Sequence, residues 1–262
     1  MNIDWYVTAL LYAGILSFFT WVVSLVKKDV SIVDSVWSLM MLVMVSVYFY
    51  NAETGFREIL IYLLMLMWAL RLAAHITLRS WGESEDRRYQ EIRNKYSPNF
   101  EIKSLFYIFV FQLLLASVIT LPMGFVLESE QPLSWFDVIA VILIASGFVF
   151  ESIADYQLYQ FKKDKNNQGK VMRQGLWAYS RHPNYFGETV VWWGVYSLVM
   201  TTGPWYLLIS PLLMTYLLLK FSGVGLMEEG IEERRPEYIE YRLTTNAFIP
   251  GPRKQINNAG NV

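Results

Sequence analysis

The chain has 262 residues, of which 54% are hydrophobic, 16% aromatic and only 17% charged, and its formal net charge is −1. Soluble proteins carry about 25% charged residues, so this composition predicts an integral membrane protein, and we expect no nucleic-acid partner. Because the chain has no cysteine, disulfides, thiolate catalysis and Cys-ligated zinc are excluded.

Several apolar segments approach the roughly 20 residues that a helix needs to cross the hydrocarbon core. They predict an all-α, polytopic bundle of about seven transmembrane helices, at roughly 5–26, 31–50, 58–78, 104–127, 135–156, 186–201 and 204–221. The sixth segment is short, and Gly203 and Pro204 turn the chain tightly into the seventh. These last two segments could instead form a helical hairpin.

The distribution of Lys and Arg predicts the orientation. Two follow the first segment, six lie in residues 79–103, six in 157–185 and five after residue 222. With seven spans these regions share one side of the membrane, and the other side holds only Arg57. By the positive-inside rule the basic side is cytoplasmic, so the amino terminus faces out and the carboxy terminus lies in the cytoplasm. We expect a bacterial inner membrane.

Ionisable residues also occur within the predicted spans, where they usually face a cavity or a partner. Their spacing of i, i+4 and i+8 on the third span, and of i, i+4 on the fifth, places them on shared helix faces. Ion pairing alone, for instance Asp155 with Arg79, is the structural alternative. We favour one polar cavity, open to the cytoplasm, formed by Asp34, Arg71, His75, Arg79, Glu151 and Asp155.

The stretch "GLWAYSRHPNYFGETVVWWG" (175–194) places hydrogen-bonding side chains at the mouth of the sixth span. Arginine and lysine gathered with Tyr and Asn donors favour a phosphate-bearing ligand. There is no Gly-x-Gly-x-x-Gly and no Gly-x-x-x-x-Gly-Lys, so side chains of membrane helices would hold a nucleotide. The two histidines, His75 and His182, lack His-Glu-x-x-His spacing, and we expect no metal. The cations that precede and enter this stretch, which together form the basic approach to the predicted site, are Lys162, Lys163, Lys165, Lys170, Arg173 and Arg181.

Several motifs together resemble the steroid 5α-reductase-like membrane family, in its bacterial branch of uncharacterised domains. They are "SIVDSVWS" (31–38), "GESEDRRYQEIR" (82–93), "ADYQLYQFK" (154–162), "GLWAYSRHPNYFGE" (175–188) and "EE…RRPEYIEYRLTTNAFIP" (228–250). The resemblance covers residues from about 30 to 250. The even distribution of basic residues predicts one integral membrane domain over 1–262. The resemblance implies substrate-side helices in 1–127 and a cofactor-binding half in 135–250.

The resemblance implies NADPH as the cofactor. Residues that match family cofactor contacts are Asp155, Lys162, Tyr179, Asn184 and Glu188. Glu151 matches an amide of the steroid enzymes and Glu228 falls near an aromatic contact, so both depart from the family pattern. The wider expected cofactor set adds Arg79, Glu151, Arg173, Arg181, His182, Tyr185 and Glu228.

The resemblance also implies hydride transfer to a conjugated carbon–carbon double bond of a steroid-like or other enone lipid. The steroid enzymes polarise the carbonyl with a Glu on span 2 and a Tyr on span 3, and span 3 has no matching Tyr here. We therefore take His75, Asp34 and Arg71 as the catalytic candidates. His75 would donate to the developing oxyanion, with Asp34 or Glu151 balancing its charge. It could equally be a neutral structural histidine.

Two other functions stay open. The element Arg-His-Pro-x-Tyr-x-Gly-Glu and a later Glu-Glu pair also occur in isoprenylcysteine methyltransferases, which bind S-adenosylmethionine. A transporter or scaffold is the third reading, although the predicted spans contain few of the helix breaks common in transporters. The reductase reading predicts an apolar substrate that arrives from the bilayer, and it leaves the oligomeric state open.

Overall fold

A computed structural model describes residues 1–129, 131–221, 224–228 and 230–254, and every regular element in these ranges is helical. The predicted all-α class is thereby confirmed. The helices are α1 (Ile3–Lys27), α2 (Ile32–Asn51), α3 (Phe56–Ser80), α4 (Arg87–Tyr96), α5 (Phe100–Ser104), α6 (Phe111–Ile119), α7 (Leu121–Glu128), α8 (Trp135–Lys163), α9 (Pro183–Ser197), α10 (Ile209–Tyr216), α11 (Val224–Glu228), α12 (Ile231–Arg234) and α13 (Tyr238–Thr244).

In the part of the chain that the structure describes, five helices are long and apolar enough to cross a membrane: α1, α2, α3, the continuous stretch Phe100–Ile119 and α8. They fit an integral membrane protein. The helix α9 has only 15 residues, and the apolar stretch Trp205–Lys220 is also shorter than a full span. The count of seven spans and the orientation therefore stay predictions.

The fourth apolar segment differs from its expected bounds of 104–127. It begins earlier, at Phe100, passes through a π-helical turn at Leu105–Val110 and ends at Ile119. Thr120 follows with a ψ of −3°, and Pro122 lies in the first turn of α7. Proline has no backbone N–H to continue a helix but fits a first turn. The segment is therefore two helices.

The chain divides into two compact units. Unit 1 comprises Met1–Ser134 and Leu198–Ser210. Its central helix is α2, which contacts α1, α3, α6 and α7. The α2 residues Met40, Met41 and Met44 are almost fully buried, and flexible methionine side chains suit a position that meets several neighbours.

Unit 2 comprises Trp135–Ser197 and Pro211–Val262. Its main contact joins α8 and α9. A Cβ added at Gly147 would lie 2.7 Å from the carbonyl oxygen of Gly187, and one added at Gly194 would lie 2.9 Å from the backbone nitrogen of Ile144. Small residues let two membrane helices approach until their backbones touch. These glycines therefore fix how α8 and α9 pack.

The orientation can be tested with reporter fusions placed in the connections between helices. Fusions after Ser97, between α4 and α5, and after Arg253 should both report cytoplasm because the surrounding segments are rich in Lys and Arg. A fusion after Gln131, just before α8, should report the opposite side. Disagreement between the first two fusions would mean that the number of spans is not seven.

Candidate functional site

In unit 2 the loop before α9 is attached to α8. Gly175 has a φ of +59°, a backbone conformation that glycine adopts without steric cost. The next backbone N–H, that of Leu176, donates to Oε1 of Gln157 at 2.9 Å, and Nε1 of Trp177 donates to the carbonyl oxygen of Ala154 at 3.0 Å. This attachment places the residues from 180 onward at the start of α9.

Arg181 connects three segments of unit 2. Its Nε and Nη2 donate to the two carboxylate oxygens of Glu228, at 2.7 and 2.9 Å. Its Nη1 donates to the backbone carbonyls of Arg242, at 3.0 Å, and Thr245, at 2.7 Å. Because Arg181 is 8% exposed, this bidentate pair is a strong, oriented contact. Arg181 therefore joins the start of α9 to α11 and to the end of α13.

Glu228 accepts two further contacts at Oε1, from Nε2 of His182 at 3.0 Å and from the hydroxyl of Tyr238 at 2.9 Å. Since an ionised carboxylate only accepts, Nε2 of His182 carries a proton here. Burial alone would raise the pKa of Glu228. The hydrogen bonds from His182 and Arg181 and the Arg181 charge outweigh burial and hold this pKa at about 2. Glu228 is thus a charged hub of the cluster.

Asn184 and Asp155 form a second polar contact in unit 2. Nδ2 of Asn184, in the first turn of α9, donates to Oδ1 of Asp155 on α8 at 3.1 Å. Oδ1 of Asn184 is buried and accepts no hydrogen bond within the described part of the chain, and the same holds for the hydroxyl of Thr189. Buried polar atoms normally have partners. An unmet acceptor beside a carboxylate therefore fits a ligand that carries a donor.

Two of the six cations of the basic approach, Arg173 and Arg181, form contacts with other residues of unit 2. Nη1 of Arg173 donates to Glu240 at 2.9 Å, and its Nη2 donates to the backbone carbonyl of Glu237 at 2.7 Å. Arg181 is likewise paired, as described above. The exposed cations of the set are lysines, which could reach a phosphate: Lys162, Lys163, Lys165 and Lys170.

The remaining predicted cofactor residues of unit 2 lie at different depths. Tyr179 is 53% exposed, whereas Glu151 on α8 and Glu188 on α9 are buried. The ring of Tyr185 stacks parallel to that of His182, with centroids 5.6 Å apart. The structure thus brings together Arg181, His182, Tyr185 and Glu228, and separately Asp155 and Asn184.

In unit 1, Asp34 is held by two residues of α4. Nη2 of Arg88 donates to its Oδ2 at 2.9 Å, and the hydroxyl of Tyr89 donates to its Oδ1 at 2.5 Å. Nε of Arg88 also donates to Asp86 at 2.9 Å. Burial and the neighbouring Asp34 charge raise the pKa of Tyr89. Asp34 therefore connects α2 to the motif "GESEDRRYQEIR". This is the carboxylate that we expected to balance the charge of His75.

The other predicted catalytic residues lie on α3. Arg71 and His75 are half-buried there, and Arg79 is exposed near the end of the helix. The helix confirms that their four-residue spacing places them on one face. They belong to unit 1, whereas Glu151 and Asp155 belong to unit 2. The single polar cavity and the roles of all these residues stay predictions.

Comparison with known proteins identifies the family. The family model described as a protein of unknown function, DUF1295, matches residues 20–245. The chain belongs to the DUF1295 family. An uncharacterized protein of Schizosaccharomyces pombe is 25% identical over 280 residues, covering 95% of this chain and 80% of the relative. No solved structure matches the chain.

Some residues of the DUF1295 protein that support its polar clusters were absent from the predicted site. Tyr238 and the carbonyls of Arg242 and Thr245 complete the Arg181 and Glu228 cluster, and Arg88 and Tyr89 hold Asp34. All five lie within the motifs that carry the family resemblance. Their place in these motifs could have marked them as candidates. It does not indicate which partner each residue contacts.

Proposed function

We propose that this DUF1295 protein is an NADPH-dependent membrane reductase acting on a conjugated carbon–carbon double bond of an apolar enone lipid. The observation that carries the proposal is the contact between Asn184 and Asp155, in which the buried Oδ1 of Asn184 accepts no hydrogen bond from the described residues. It lies among motifs that resemble the cofactor half of steroid 5α-reductases. The five apolar helices of the described residues fit a protein that lies in the bilayer, where an apolar substrate is dissolved.

The donor set of unit 2 suits a dinucleotide. A carboxylate such as Asp155 can accept hydrogen bonds from ribose hydroxyls, and Oδ1 of Asn184 can accept from an amide or a hydroxyl. The exposed lysines, of which Lys165 and Lys170 lie in the loop after α8, can neutralise phosphate groups as point charges. Arg181, with Glu228, would instead hold the start of α9 in position beneath the cofactor.

The protein's contribution to the reaction is binding, orientation and charge stabilisation. When bound, NADPH would supply the hydride. Negative charge then builds on the carbonyl oxygen of the enone, and a hydrogen-bond donor aimed at that oxygen lowers the barrier. On α3, His75 is the candidate donor, and Arg71 one turn away is the second cation at that face.

One observation favours the second candidate, an S-adenosylmethionine-dependent methyltransferase of the isoprenylcysteine type. The density of cations near residues 162–181 was the argument for a dinucleotide. Two of those cations, Arg173 and Arg181, are engaged by acidic side chains and carbonyls of the same unit. Fewer cations remain to bind phosphate groups. This favours S-adenosylmethionine, because that cofactor has no phosphate group.

Cofactor binding to the detergent-solubilised protein tests the proposal. We expect nicotinamide fluorescence to show that NADPH binds tighter than NADH, and native mass spectrometry to show that NADPH is retained more than S-adenosylmethionine. Asn184→Ala should weaken NADPH binding by about 1–3 kcal/mol, because it removes a polar partner from a buried site. Asp155→Ala should act in the same direction.

Asn166→Ala is the matched control, since Asn166 is exposed in the loop after α8. Its NADPH affinity should equal that of the wild type, and thermal unfolding should show that all three variants are folded. Tight S-adenosylmethionine binding with no NADPH signal would replace the reductase proposal with the methyltransferase.

A further inference from the structure

Unit 1 contains a groove of about 870 Å³ that plays no part in the proposed reaction. It runs beside the last turns of α1, the start of α2, the end of α3 and the loop Trp81–Glu85. Along α1 the side chains that line the groove change from apolar, both aliphatic and aromatic, to a charged lysine at the end of the helix. The α1 residues that line it are Leu16, Phe19, Thr20, Val23 and Lys27.

The groove lies on a different face of α3 from the predicted catalytic residues. Each helical residue advances about 100° around the axis, so Thr77 and Ser80, which line the groove, lie roughly 160° and 140° from His75. Arg71 shares the His75 face because it is one turn away. Any ligand of the groove would thus be separate from a substrate that contacts His75.

The groove as a whole has about the length of one membrane leaflet. From Leu16 to Lys27 at the polar end the rise along α1 is about 16 Å, and half of a hydrocarbon core is about 15 Å. Within this stretch Phe19 is 61% and Val23 is 47% exposed, so side chains along the groove are open to a ligand. The dimensions fit one acyl chain lying along α1.

The polar end of the groove carries charges of both signs. Lys27 and Lys28 are exposed at the end of α1, and Glu83 is exposed on the loop after α3. Within the described residues, no ion pair engages any of these three side chains. The groove thus offers cations and a carboxylate from different walls.

A second carboxylate makes the loop wall rigid. Glu85 is paired with Arg93, with Oε1 of Glu85 2.8 Å from Nη2 of Arg93 and its Oε2 2.9 Å from Nε. It also accepts the backbone N–H of Val30 at 2.9 Å. These contacts tie the loop to the connection between α1 and α2. The polar end is therefore formed before any ligand binds.

We propose that this groove is a specific site for a phospholipid whose headgroup carries both a phosphate and a primary ammonium. Lys27 and Lys28 contact the phosphate, Glu83 accepts from the ammonium, and an acyl chain packs against Phe19 and Val23. Charge complementarity separates this lipid from an anionic one without an ammonium, which would leave Glu83 unpaired beside the headgroup. A quaternary ammonium cannot donate a hydrogen bond to Glu83.

Native mass spectrometry of the purified full chain tests this site, with no nicotinamide cofactor present. The probes are phosphatidylethanolamine, phosphatidylcholine and phosphatidylglycerol with identical acyl chains. We expect phosphatidylethanolamine to be retained about fivefold more than phosphatidylglycerol, which corresponds to about 1 kcal/mol for one charge contact near the membrane surface. Phosphatidylethanolamine should also be retained measurably more than phosphatidylcholine.

Glu83→Gln should bring the retention of phosphatidylethanolamine and phosphatidylglycerol close to equal. Lys27→Gln with Lys28→Gln should lower the retention of both lipids, and Val23→Trp should do so by filling the groove. Lys95→Gln, near the exposed end of α4, is the control and should leave the retention of all three lipids unchanged. Equal retention of the three lipids by the wild type would overturn the proposal, as would an unaltered preference in folded Glu83→Gln.

Discussion

Glu228→Ala should lower the free energy of unfolding of this DUF1295 protein by about 3–5 kcal/mol, the cost of removing one partner from a buried ion pair. The variant leaves the Arg181 guanidinium, 8% exposed, without its bidentate partner. It also takes the acceptor from His182 and from the hydroxyl of Tyr238. Thermal and denaturant unfolding in one detergent would measure the loss.

Glu233→Ala is the matched control, because Glu233 is an exposed carboxylate on the neighbouring helix α12. It should change the free energy of unfolding by no more than about 0.5 kcal/mol. If the two variants unfold alike, the Arg181 and Glu228 cluster does not hold unit 2 together.

The same cluster gives the stability a defined pH dependence. The pKa of Glu228 is lowered in the folded protein from 4.5 to about 2. A lowered carboxyl pKa stabilises the fold fully above pH 4.5, and this contribution is lost as the pH falls towards 2. The unfolding curves of wild type and Glu228→Gln should therefore converge across that interval. Curves that keep a constant separation down to pH 2 would show that Glu228 is not the titrating group.

His75→Ala should slow the single-turnover oxidation of NADPH by an enone lipid on the order of a hundredfold, a typical loss for a general acid. The physical reason is that a donor at the carbonyl oxygen acts on charge that develops only in the transition state. NADPH affinity should stay near that of the wild type, so kcat falls more than KM rises. Stopped-flow nicotinamide absorbance with saturating substrate measures the rate.

Thr77→Ala serves as the control for His75→Ala, since Thr77 lies on the same helix and lines the lipid groove. Its single-turnover rate should equal that of the wild type. An unchanged rate in His75→Ala would assign the histidine a structural role. The donor would then have to be sought in Arg71, a tyrosine or a bound water.

The long helices could be predicted from the sequence because membrane spans follow from apolar length alone. The predicted segments at 31–50 and 58–78 became Ile32–Asn51 and Phe56–Ser80. The helix α8 extends beyond its predicted end at residue 156 to Lys163, which places Lys162 on the same helix as Asp155. No apolar signal marks such a polar last turn.

Contacts between distant polar residues could not be predicted. Arg181 and Glu228 are 47 positions apart, and Arg88 and Asp34 are 54 apart. Their pairing depends on how the helices pack, and the composition of either segment does not encode it. The sequence did predict Arg181, His182 and Glu228 as members of one site, all three as cofactor contacts. In the structure Arg181 is part of the protein's own hydrogen-bond network, and the cofactor contacts stay predictions.

The glycine contact between α8 and α9 has a consequence for how the protein is made. With 15 residues, α9 measures about 22 Å, less than the roughly 30 Å of the hydrocarbon core. Its backbone touches that of α8 at Gly147 and Gly187. We therefore expect α8 and α9 to be inserted into the bilayer together. The shorter helix would enter as the second arm of a hairpin whose first arm, α8, is long enough to span the membrane.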